Sequence, residues 1–233
     1  MLAVFVMLIG LLIWPGSAAI YDFLALPLTQ SLPPETRMIA TGVITPFVIP
    51  LKVTALAAFL LALPYVLYEA WAFVAPGLYE REKKLAAPII VGSTLLFFLG
   101  VAFCYYFVFG RVFAFIADWA PKSITVAPDI ENYLNFVITM FLAFGVTFEI
   151  PIVVILLARS GIVSIEQMVE ARPYVVLGSA VVAAFITPPD AVSMLALFIP
   201  MCILFEVGIL LARFVGRRAA AQEAESNPVS DEK

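Results

Sequence analysis

Apolar runs, parted by shorter polar stretches, set the pattern of this chain. A helix of roughly 20 apolar residues crosses a hydrocarbon core of about 30 Å. Runs of that kind predict spans over residues 1–18, 51–68, 85–109, 133–158, 174–186 and 193–214. The fifth, of about 13 residues, is short enough for a re-entrant segment. A run of full length follows it, which favours a thin spanning hairpin. Prolines mark the runs: Pro15-Gly16 ends the first, Pro64 predicts a kink in the second, and Pro88 stands in the first turns of the third. Pro151 and Pro200 lie inside the fourth and sixth.

The stretches between the runs differ in character. Tyr21 to Leu26 reads as a short interfacial helix ended by Pro27, and Ser31-Leu32-Pro33-Pro34-Glu35 as a turn. Glu69 to Lys84 is polar and aromatic, with Trp71 and Tyr79 suited to the headgroup belt. Arg111 to Glu131 is a long loop in which Val112 to Trp119 continues the third helix. Ser164 and Gln167 have the spacing of a capping box. Thr187-Pro188-Pro189-Asp190 is a tight turn, and residues 217–233 form a polar, Ala/Glu-rich tail expected to be disordered. The first run begins at Met1 without a polar flank. It reads either as a signal peptide, with Ser17-Ala18-Ala19 as a cleavage region, or as a first spanning helix. The missing positive n-region favours the helix.

Composition agrees with a membrane protein: 64% hydrophobic residues, 13% charged and a mean hydropathy of +1.07. The net charge of −4 reflects acids in loops and tail, and no basic domain points to nucleic acid. Histidine is absent, which removes the commonest metal ligand and the usual proton shuttle. Cys104 and Cys202 sit in apolar runs as packing residues, forming neither a disulfide framework nor a zinc site. Arg81, Lys83 and Lys84, Arg159 and Arg172, and the tail's Arg213, Arg217, Arg218 and Lys233 outweigh the cations of the alternate loops. Those are Arg37, Arg111 and Lys122, with Lys52 at the start of a span. The positive-inside rule then puts both ends and the second and fourth loops in the cytoplasm.

One acid stands inside the fourth run. Glu149 lies two residues before Pro151, which removes a backbone donor and frees a carbonyl one turn back, so a bend is expected beside the charge. A carboxylate at mid-depth costs roughly 2.5–3.5 kcal/mol on insertion scales. It must be neutralised or aimed at protein or trapped water, whether its role is packing or function. Glu206 is a second acid, near the inner end of the last span, placed to snorkel or to pair with Arg213. A proton-coupled transporter of a small solute using Glu149 is one reading, but no internal repeat supports it. An intramembrane protease lacks its motifs: no Gly-x-Gly-Asp, His-Glu-x-x-His or Gly-x-Ser-x-Gly occurs.

Several separated motifs share a resemblance. Met38-Ile39-Ala40-Thr41, Trp71-Ala72-Phe73-Val74-Ala75-Pro76-Gly77-Leu78-Tyr79-Glu80-Arg81-Glu82, Phe144-Gly145-Val146-Thr147-Phe148-Glu149-Ile150-Pro151, Arg172-Pro173-Tyr174 and Thr187-Pro188-Pro189-Asp190 together resemble TatC, the core subunit of the twin-arginine translocase. The resemblance implies an all-α membrane protein of six helices with both ends inside. Its bundle would be curved and glove-like, with short fifth and sixth helices. It implies a multi-pass protein of the bacterial cytoplasmic (inner) membrane that binds twin-arginine signal peptides of folded precursors. TatA and TatB-type single-span subunits, membrane lipid and further copies of the chain would be its partners. The proton-motive force would drive transport without a cofactor, in keeping with the absence of a Gly-rich phosphate loop.

By motif, Glu82 matches the acid that receives the signal's arginines, with Phe73, Arg81 and Tyr79 in the same segment. Glu149 matches the intramembrane acid, and Pro27 and Asp190 match outward loop positions. Thr187, with Glu206, belongs to the intramembrane polar set toward partner helices. Two departures stand out. The family's His-Leu-x-Glu-Leu-Arg stretch before the first span is missing, and an upstream in-frame start is expected to encode it. Met194 stands where the family often has Gln.

Overall fold

The structure is a computed structural model. It describes Met7, Gly10, Leu11 and residues 13–31, 38–74, 86–119, 127–187 and 190–226, with backbone alone at 72–74, 86–87, 118 and 217–226. The described chain is helical, and its one extended pairing is an isolated bridge between Ile39 and Asp129. After a tight turn at Trp14–Gly16 come α1 (Ser17–Thr29), α2 (Thr45–Val74) and α3 (Ala86–Phe103). A π-helical segment, Cys104–Phe109, joins α3 to α4 (Gly110–Trp119). Then follow α5 (Ile130–Phe148), α6 (Ile150–Arg159), α7 (Ile165–Glu170), α8 (Arg172–Ile186) and α9 (Ala191–Ser226). Among the described residues, four stretches are long and apolar enough to cross a membrane: Thr45–Trp71, Pro88–Ala117, Ile130–Arg159 and Ala191–Gly216. Arg172–Ile186 is a shorter apolar helix. Half of the first expected span lies outside the described residues, but Gly10 packs against Thr54 and Ala58 of α2.

Helices extend beyond several expected bounds. The interfacial helix does not end at Pro27: α1 runs through it to Thr29. Proline takes away the donor that would bond the carbonyl of Phe23, and the Tyr105 hydroxyl supplies that bond instead, at 2.7 Å. Helix α2 runs unbroken through Pro50 and Pro64 and carries Trp71, placed by the sequence in a loop, on its last turns. The last helix is not short, at 36 residues, and passes through Pro200. Its final turns, Arg217 to Ser226, lie in the tail expected to be disordered. Ala, Arg, Gln and Glu dominate them, all strong helix formers. As expected, Val112 to Trp119 continues the third helix, Ser164 and Gln167 close a capping box, and the fourth run breaks at Glu149.

The core is the seam between α3 and α5–α6. Ser93, Phe97, Gly100, Val101 and Cys104 form one buried stripe at helical spacing. Gly92 lies against Ile152, Phe97 over Gly145, and Gly100 against Phe144 and Phe148, so the helices run antiparallel in fixed register. Small residues allow that approach, as is usual where apolar lipid gives helices no hydrophobic drive to associate. The π turn then widens the helix and aims Cys104, Val108 and Phe109 inward, where Phe109 stacks on Phe141 at 5.5 Å.

The loops expected to face outward meet at one end of the bundle. The Ile39 N–H donates to the Pro128 carbonyl (3.0 Å) and the Ile130 N–H to the Ile39 carbonyl (2.9 Å). Asp129 caps α5, accepting from the N–H groups of Glu131 and Asn132 at 3.0 and 2.9 Å. Its other oxygen accepts the Thr41 hydroxyl at 2.6 Å and the Thr41 N–H at 3.1 Å. The Thr41 hydroxyl, followed by these amides, holds the carboxyl at about 2, below its ordinary 3.8. Two residues on, Glu131 accepts from Thr45 (3.1 Å) and pairs with Lys52 (2.7 Å), tying α2 to α5.

Candidate functional site

Glu149 forms the turn between α5 and α6, and its local backbone follows from Pro151. The Glu149 N–H falls back to the Val146 carbonyl (3.0 Å), and the Glu149 carbonyl accepts the N–H groups of both Ile152 and Val153 (3.0 Å each). This break turns the acid inward. Its side chain is buried, and neither carboxyl oxygen closes a hydrogen bond of ordinary geometry. The register of α3 on α5–α6 brings Ser93 level with it. Ser93 is fully buried and accepts the indole N–H of Trp71 at 3.0 Å. Trp71 thus serves α3 with its donor rather than standing only as a belt aromatic. On the far side Gly208 of α9 abuts Pro151 and Val154, so α9 seals the bend.

An apolar cleft of about 320 Å³ opens beside the acid, between α3, α6 and α9. Leu96, Pro151 and Ile152 line it at the level of the bend, and Arg159 lines it further along α6. No cluster of His, Cys, Asp or Glu among the described residues could hold a metal. Cys104 is a buried free thiol and Cys202 a half-buried one.

The other expected site residues are not gathered at this point. Thr187 is buried and spends its hydroxyl on the Ala183 carbonyl, 2.9 Å away. Asp190 caps α9, accepting the Ser193 N–H at 2.7 Å, with its second oxygen buried and unpartnered beside an equally unpartnered Ser193 hydroxyl. Met194 packs on the core next to them. Pro27 lies within α1. Glu206 pairs with Arg172 at the start of α8, at 2.6 Å, and not with Arg213, because α8 lies alongside α9 and brings Arg172 to it. Phe73 is on the last turn of α2, where only the backbone is described; Tyr79, Arg81 and Glu82 lie outside the described residues.

A family model for the Sec-independent protein translocase protein TatC matches residues 1–200. The chain belongs to the TatC family. A TatC of Haemophilus influenzae is 46% identical over 212 residues, covering 91% of this chain and 83% of that protein. The TatC of Escherichia coli K12 is 44% identical over 215 residues, covering 92% and 83%. Among solved structures, a crystal structure of the twin arginine translocase receptor TatC superposes with a TM-score of 0.78 at 29% identity, covering 91% of this chain and 93% of that one. As a TatC protein the chain is a multi-pass membrane subunit of the Sec-independent translocase and not an enzyme.

In this TatC chain, sequence reasoning missed Ser93, since a lone serine in an apolar run carries no signal until the register with α5–α6 is known. The Asp129 cap was more legible: an Asp directly before Ile130, where a helix begins, is an N-cap signature.

Proposed function

We propose that this chain is the signal-peptide receptor of its translocase. It takes the paired arginines of folded precursors on the segment from Phe73 to Glu82, with Glu82 as the principal acid and Tyr79 and Arg81 beside it. It nucleates assembly with TatA and TatB-type subunits and with further copies of itself in the cytoplasmic (inner) membrane, and the proton-motive force drives export. Both ends, and residues 217–233, face the cytoplasm. Glu149, Thr187 and Glu206 face partner helices, and Pro27 and Asp190 stand on the outward side.

The observation that carries this reading is the match to TatC along the chain, together with the likeness to a solved twin arginine translocase receptor. The chemistry is consistent with it. A carboxylate takes a guanidinium bidentately, and more strongly at a partly desolvated boundary than on a free surface. The outer seam between residues 39–41 and 128–131 supports the assignment of both loops to one side. The match to TatC counts against the solute-transporter alternative.

Complementation tests it. A translocase-deficient strain expressing this chain, with and without an N-terminal extension, is scored for export of a folded reporter that carries a twin-arginine signal. Export in either arm supports the proposal; inserted protein with no export in both arms contradicts it.

A further inference from the structure

A buried acid, a serine and an indole lie in line from the middle of the bundle to the end of α2. Glu149 is buried without a closed hydrogen bond on either oxygen. Ser93 lies level with it on α3, in the register set by Gly92 on Ile152 and Phe97 on Gly145. Trp71 donates to the Ser93 oxygen from α2, two residues before Phe73.

We propose that Ser93 is a positioning residue for Glu149, and that through Trp71 it couples the intramembrane acid to the end of α2. A hydroxyl has one proton and two lone pairs. With a lone pair committed to the indole, the proton of Ser93 is directed at the carboxyl, and the two bonds support each other. Without Glu149 the hydroxyl turns back to the carbonyl one turn earlier in α3, the usual resort of a serine inside a helix, and its hold on the indole weakens. Movement of the α2 end therefore reaches Glu149, and a change at Glu149 reaches the α2 end. The functional side of this coupling rests on the receptor reading above; its structural side does not.

The test uses the whole chain with Trp14→Phe and Trp119→Phe, which leave Trp71 as the sole tryptophan of the three. Both removed side chains are exposed. In detergent without signal peptide, Glu149→Leu shifts the Trp71 emission maximum while Ser93 is present, and leaves it unmoved in a Ser93→Ala protein. An emission indifferent to Glu149, or an equal shift in both backgrounds, overturns the proposal. In the export assay, Ser93→Ala lowers transport about five- to tenfold, the equivalent of one buried hydrogen bond, and causes no further loss on top of Glu149→Leu. Equal losses in both backgrounds would mean a packing role alone and overturn it too. Ser93→Cys keeps the volume with a weaker donor and gives intermediate values. If the unsubstituted chain exports nothing, the receptor reading falls while the emission arm still decides the coupling.

Discussion

Gly100 and Gly145 hold the acid in place by their lack of a side chain, and alanine at either should show it. A Cβ on Gly145 would enter the ring of Phe97, which is 3% exposed. A Cβ on Gly100 would stand 2.6 Å from the Phe144 carbonyl oxygen and 2.9 Å from the Phe148 ring. Overpacking of this kind costs about 1–3 kcal/mol, while Ala gains at most about 1 kcal/mol over Gly in helix preference. A ring can tilt; a backbone carbonyl moves only with its helix. We therefore expect Gly145→Ala to lose about 0–2 kcal/mol and Gly100→Ala to lose more, up to about 3 kcal/mol. Denaturant unfolding in detergent measures both. Phe97→Leu should recover at least about 1 kcal/mol of the Gly145→Ala loss as a coupling energy, and nothing at Gly100. If Gly100→Ala is as stable as the parent, and Gly145→Ala is indifferent to Phe97→Leu, the helix register described here is wrong.

Three further outcomes are expected. Glu149→Gln keeps most assembly and export, since a neutral amide can replace a protonated acid, whereas Glu149→Leu loses about tenfold, the value of one buried polar contact; a fully active Leu protein would leave the acid only a packing role. Because folding lowers the Asp129 carboxyl from 3.8 to about 2, the seam between residues 39–41 and 128–131 has its full support above pH about 4 and loses it as pH falls through about 2. Hydrogen exchange at the Ile39 amide should rise only in that window, and Thr41→Val should move its onset to higher pH. Arg172→Gln removes a pair that is nearly half exposed on both sides and should change unfolding free energy by less than about 1 kcal/mol.

The helices were legible because lipid demands long apolar runs with internally bonded backbones, and Glu149 because a charge in such a run stands out. The bend followed from Pro151. What could not be read was how one helix serves another. Pro27 looks like a helix end until Tyr105 is known to supply the bond to Phe23. Trp71 looks like a belt residue until Ser93 is found beneath its indole. Glu206 has Arg213 two turns away along the chain, but Arg172 reaches it from α8. Each of these partners lies on a separate helix, and hydropathy gives no register between helices. The receiving segment itself, Tyr79 to Glu82, rests on its motif alone, since those residues fall outside the described structure.

That segment is where the receptor reading is most directly tested. Membranes bearing Glu82→Asp, Glu82→Gln or Glu82→Arg are offered a crosslinkable twin-arginine signal peptide. A planar guanidinium needs an anion at fixed reach, so Asp should weaken capture in part. Gln should weaken it further by about 1–2 kcal/mol, the difference between charged and neutral hydrogen bonds. Arg should abolish it, with normal protein levels throughout. Full crosslinking to the Glu82→Arg protein would contradict the assignment of Glu82 as the acid that receives the signal.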